Sequence, residues 1–101
     1  MASRIELHEK LKAILENNNA YFQPPNNVSM KYPAIRYSLN EIDSQFADNM
    51  SYVKTIGYEA ILITRDPEDK RINGIMNLPY ARFDRMYVSD NLYHFVFTIY
   101  Y

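Results

Sequence analysis

An α+β fold is predicted, a two-layer sandwich in which a mainly antiparallel sheet of four to five strands is covered on one face by an N-terminal helix and a short second helix. Three observations predict it: a helix-period apolar stripe at the start, alternating segments paired across turn-type sequences later, and a single helix-start signal between them. At 101 residues with 48% hydrophobic and 23% charged residues, the chain is expected to form one domain over residues 1–101 with one packed core.

Ser3-Arg4-Ile5-Glu6 has the form of a capping box, in which hydroxyl and carboxylate satisfy amide donors of the first turn. Ile5, Leu7, Leu11, Ile14 and Leu15 then build one stripe, and Asn17-Asn18-Asn19 is expected to end the helix because asparagine tolerates the left-handed conformation. The piece AYFQ before Pro24-Pro25 is a possible edge strand, and YPAIRYSL at 32–39 alternates as a half-buried strand. Residues 40–50, NEIDSQFADNM, are polar with scattered Ile42, Phe46 and Met50 and read as the loop at the tip of a long hairpin. The run YEAILIT at 58–64 reads as a central strand. Asp66-Pro67-Glu68-Asp69 predicts a second helix beginning there, from a capping side chain, a proline at the first position and carboxylates at the positive end of the dipole. YARFDRMYV at 80–88 and LYHFVFTIYY at 92–101 alternate on either side of Ser89-Asp90-Asn91, which predicts a closing hairpin.

Composition excludes several function classes. Eleven basic residues against twelve acidic ones give a net charge of -1, so no general field draws the chain to nucleic acid or an acidic membrane. Without cysteine there is no disulfide, thiolate nucleophile or cysteine-held zinc. MASRIELHEKLKAIL lacks the unbroken apolar core of a signal peptide, and no window is apolar enough for a membrane helix. His8 reads as a solvated helix residue among Glu6, Glu9 and Lys12, and His94 as a hydrogen-bonded structural or interface residue of the last strand. Asp66, Glu68 and Asp69 fail the spacing of a calcium loop and read as helix-capping carboxylates. Gly57 and Gly74 stand alone, so no phosphate loop is present. No catalytic, cofactor-binding or metal-ligating residue is assigned, and the chain is expected not to be an enzyme.

Ten tyrosines and five phenylalanines exceed what so small an interior needs, and tyrosine is enriched at interfaces. The candidate subunit-interface residues are Tyr58, Phe83, Arg85, Tyr87, Tyr100 and Tyr101, with Lys70, Arg71, Arg82 and Arg85 read as a salt-bridged surface or subunit contact. The far face of the sheet is expected to carry Tyr and Phe residues that nothing in the chain covers. In NLYHFVFTIYY, Tyr93, Phe95, Phe97, Ile99 and Tyr101 are expected to meet the helices, and a neighbouring subunit to cover much of the other face. Phe46 and Met50 are the candidates for contact with a further partner.

Taken together, SRIELHEKLKAIL, YFQPP, KYPAIRYSL, YEAILITRDPEDKRINGIMNLPYARFDR and DNLYHFVFTIYY resemble the small tail terminator or tail completion proteins of long-tailed bacteriophages and prophages of low-GC Gram-positive bacteria. The most specific segments are YPAIRYSL and FDRMYVSDNLYHFVFTIYY. The resemblance implies a non-enzymatic virion structural protein at the head-tail junction, assembled in the host cytoplasm. It implies a homo-oligomeric ring, usually a hexamer, that caps polymerisation of the tail tube protein and presents a face to the head-completion or neck protein. No cofactor, small-molecule substrate, membrane or specific nucleic acid enters that role. A different minor capsid or connector protein, or a monomeric peptide-binding adaptor, would fit the same fold.

Overall fold

The computed structural model describes residues 4–24, 31–47 and 50–100, with 41–47 and 50–55 described by their backbone. The order is α1 (Arg4–Leu15), β1 (Ala20–Phe22), β2 (Ala34–Ala47), β3 (Met50–Thr64), α2 (Arg71–Met76), β4 (Ala81–Ser89) and β5 (Leu92–Tyr100). One five-stranded sheet has the order β1-β2-β3-β5-β4. Only the β1–β2 pair is parallel, and the other three are antiparallel. The predicted α+β class and helix-covered sheet are therefore observed.

Helix α1 lies on the sheet through Leu7, Leu11 and Leu15, all at 0% exposure, because spacings of four keep them on one face. They join Ile35, Tyr37, Tyr58, Ala60, Leu62, Ile75, Phe95, Phe97 and Ile99 in one core. Phe95, Phe97 and Ile99 thus face the helices, as the alternation of β5 predicts; Tyr101 lies outside the described residues. Helix α1 ends at Glu16, whose φ of 62° takes the left-handed turn one residue before the asparagines expected to do so. Asn17 accepts the N–H of Asn19 instead. Ser3 of the predicted capping box lies outside the described residues.

Two boundaries differ from the sequence reading. Residues 40–47 are strand, not loop: β2 continues through them, paired with β3 from Ile42↔Ile56 to Ala47↔Met50. Ile42 and Phe46 stand four residues apart among polar residues, so the segment shows no strand alternation and its sequence resembles a loop. The second helix begins at Arg71, not at Asp66. The Asp66 carboxylate accepts the Glu68 N–H, and the Asp69 carboxylate turns back to the Thr64 hydroxyl and the Arg71 N–H. Both acids cap backbone donors, but in a turn that delays the helix.

Strand β5 runs beside β3 only as far as Tyr100↔Gly57, and β1 beside β2 only from Ile35 to Tyr37. Beyond these limits β2 and β3 leave the sheet as a two-stranded arm of roughly 20 Å. The molecule measures 51 × 27 × 23 Å, and its radius of gyration of 14.6 Å exceeds the about 13 Å expected for a compact chain of this length.

Candidate assembly surface

Strand β4 ends the sheet, with β5 on one side and, among the described residues, no strand on the other. Eight of its nine residues, all but Ala81, are exposed. The hairpin to β5 turns at Asp90 and Asn91, with φ of 54° and 63°, the two left-handed residues of a type I′ turn that matches strand twist. A bulge between Phe83 and Arg85 inserts Asp84, which accepts hydrogen bonds from the Thr98 hydroxyl and from Arg82 Nε at 3.0 Å. The hydroxyl of Thr98, together with the two arginines beside it, holds the Asp84 carboxyl below its ordinary range.

Around that anchor stand large apolar side chains that the helices do not cover. Phe83 is 44% exposed, Met86 46%, Val88 59% and Tyr80 81%. The register places Phe83 opposite Phe97, Met86 opposite Phe95 and Val88 opposite Tyr93, on the face that carries the core further inward. Helix α2 has only six residues, and the strand it contacts most is β4, whose residues from Arg82 to Ser89 it leaves exposed. Phe83 packs edge-on to Phe97 at 5.6 Å, and Tyr87 stacks on His94 at 4.7 Å and 14° on the opposite face. The exposed apolar surface is therefore concentrated at the outer strand, not spread over the far face as expected. Aliphatic Ile63 and Val96, at 5% and 0% exposure, occupy that face instead.

The predicted interface residues separate accordingly. Phe83, Arg85 and Tyr87 come together on β4, and Tyr100 is half-buried near its start, where its N–H donates to the Tyr80 carbonyl. Tyr58 belongs to the core at 5% exposure, edge-on to Tyr37, so its burial requires no neighbouring subunit. Tyr101 lies outside the described residues. Phe46 and Met50 lie at the arm tip, where Phe46 pairs with Ser51 and Met50 with Ala47. Tyr80, Met86 and Val88 were not singled out from sequence; the alternation that marks Phe83 continues through Met86 and Val88 only once the bulge at Asp84 is known.

The other candidates have structural partners. Lys70 pairs with Glu16, Arg71 with Asp69 and Arg82 with Asp84, so the basic cluster is largely salt-bridged. Burial alone would raise the Asp69 carboxyl, but the Arg71 N–H, the Thr64 hydroxyl and the Arg71 guanidinium outweigh it and hold the group below its ordinary value. His8 is not a solvated helix residue: its Nδ1 lies 2.6 Å from the Tyr37 hydroxyl, which also accepts from Arg4. His94 Nδ1 meets the Leu92 carbonyl at 3.1 Å. A cleft of about 210 Å³ lined by Tyr32, Pro33, Thr64, Arg65 and Asp66 is smaller than ordinary ligand pockets. Among the described residues no group of three or more His, Asp or Glu could hold a metal ion, and no helix is long and apolar enough to cross a membrane. Compared with protein-family models and with curated proteins, the chain matches none.

Proposed function

We propose that the protein is a non-enzymatic assembly subunit of a phage tail, a tail terminator that closes into a hexameric ring at the head-proximal end of the tube. The observation that carries the reading is the outer strand β4, a nine-residue open edge flanked by Tyr80, Phe83, Met86, Tyr87 and Val88, all at least 39% exposed. An edge of that length and apolarity is an association hazard in a monomer and an asset in an oligomer. The bulge and the charges of Arg82, Asp84 and Arg85 limit unspecific pairing while leaving tyrosine, phenylalanine, methionine and arginine in place, the residue types of interface cores. Ring closure needs a heterologous contact, in which two different surfaces of one protomer meet. In this reading the tip of the arm, with Phe46 and Met50, reaches the tube or neck, and the ring caps the tube and joins it to the head-completion protein.

Sedimentation of the purified protein, alone and with tail tube protein, tests the ring. A six-copy species in either condition is expected, and a monomer in both at high concentration would remove the ring from the mechanism. For the tip, Phe46→Ala with Met50→Ala is expected to leave the fold intact and yield tails of uncontrolled length; tails of normal length would exclude the tip.

A further inference from the structure

Among the described residues, the arm has no strand on either outer side. Among the described residues, β2 has only β3 beside it from Ile42 to Ala47, and β3 has only β2 from Met50 to Ile56. A two-stranded ribbon is marginal in water by itself, so an added strand would stabilise it. The outer strand β4 has the complementary shortage, with nine residues and one vacant edge. The arm's six pairs from Ile42↔Ile56 to Ala47↔Met50 span roughly 20 Å, and β4 roughly 30 Å, so the arm fits along it.

Charge favours the same match. Residues 41–56 contain Glu41, Asp43 and Asp48 against the single Lys54, a net charge of -2, and the β2 strand of the arm carries only the acids. Strand β4 carries Arg82 and Arg85 against Asp84, and the Asp84 carboxylate is already taken up by Thr98 and Arg82. Pairing β4 with β4 about a twofold axis would instead bring the two basic strand centres together, and like charges across a strand pair are destabilising. From these observations we infer that the acidic shaft of one copy's β2–β3 arm adds as a strand to the outer edge of β4 in the next copy. Every copy supplies one arm and one edge, so the contact is heterologous and repeats around a ring. The inference rests on the ring reading and names the two surfaces that meet in it.

Charge exchange in the full chain is the test. Glu41→Lys with Asp43→Lys inverts the arm, and Arg85→Glu inverts the edge; Arg82 is left alone because Asp84 holds it. Arg85→Ser replaces Arg85→Glu if circular dichroism shows that the latter is unfolded. Each species is sedimented alone and in an equimolar mixture, with tube protein present if the wild type needs it. The expected result is that each variant alone associates at least tenfold more weakly than the wild type, while the mixture of arm-inverted and edge-inverted chains regains the wild-type mass. Arg85→Ser weakens association without that rescue. Wild-type association by both variants alone overturns the arm-to-edge contact and leaves the ring standing. Weakening of both charge-inverted chains without recovery in their mixture also overturns it, and where Arg85→Ser stands in for Arg85→Glu, wild-type association by Arg85→Ser overturns it. A wild-type dimer that persists in the arm variant overturns it in favour of β4 against β4. A wild type that stays monomeric even with tube protein overturns the ring reading and this contact with it.

Discussion

His8 shows how one polar residue ties a helix to the sheet. Its Nδ1 and the hydroxyl of Tyr37 are 2.6 Å apart, and Tyr37 is otherwise buried at 1% exposure. Burial keeps the phenol of Tyr37 protonated by raising its pKa, so the phenol donates and a neutral imidazole accepts. Burial lowers the pKa of His8 from its ordinary 6.5, Lys12 and Arg4 lower it further, and Glu9 opposes them. The folded state therefore binds a proton less readily than the unfolded chain, and linkage gives the sign. The contribution is fully present above the ordinary value of 6.5 and is lost as the pH falls through that value toward the lower folded one. Urea midpoints measured from pH 7.5 to 5 are expected to fall in the wild type and to fall less in His8→Gln; equal slopes would show that this histidine is not linked to folding. Arg4 reinforces the site, with its guanidinium 4.3 Å from the centre of the Phe22 ring and its Nη1 donating to the Tyr37 hydroxyl.

Among the elements, those with one wet face and one dry face were legible from sequence, and those with two like faces were not. Leucines four residues apart marked α1, alternation marked β2 up to Leu39, and Phe95, Phe97 and Ile99 marked the inner face of β5. The arm left no such trace, and Asp66-Pro67 imitated a helix start although its carboxylate closes a turn onto Glu68. The candidate surface was half legible: Phe83, Arg85 and Tyr87 stand on it, whereas Tyr58 resembles them in sequence and lies in the core, edge-on to Tyr37. The contact between helices was hidden altogether, because it depends on an absent side chain. A Cβ placed on Gly74 would sit 2.8 Å from Ile14 Cγ2, closer than the core tolerates, so glycine here allows α2 to approach α1. Gly74→Ala gains about 1 kcal/mol of helix propensity and loses about 1–3 kcal/mol to overpacking. A net loss of up to about 2 kcal/mol in chemical denaturation is expected on these magnitudes. The same change in an Ile14→Ala background is expected to be neutral or stabilising, and an equal loss in both backgrounds would separate Gly74 from Ile14.

At the scale of the molecule, the proposed association surfaces and the core occupy different parts of the chain. The core runs from α1 and α2 to the inner face of β2, β3 and β5, and among the described residues the arm meets it at the partly buried Ile56. Replacing residues 41–56 by an Asn-Gly turn should therefore leave the domain standing: the new link joins β2 and β3 next to their Leu39↔Tyr58 pair with a turn suited to hairpins. The lost ribbon was marginal by itself, and a shorter connection costs slightly less closure entropy, so the two changes offset to within about 1–2 kcal/mol. Cooperative thermal unfolding is expected to persist, and the urea m value to fall because less surface is exposed on unfolding. Loss of cooperative unfolding would show that the arm is part of the folding unit. Under the proposed arm-to-edge contact the shortened chain is expected to keep its fold and to stay monomeric in sedimentation where the full chain associates, because it would have the β4 edge but no arm to place on the next copy; association equal to that of the full chain would exclude the contact.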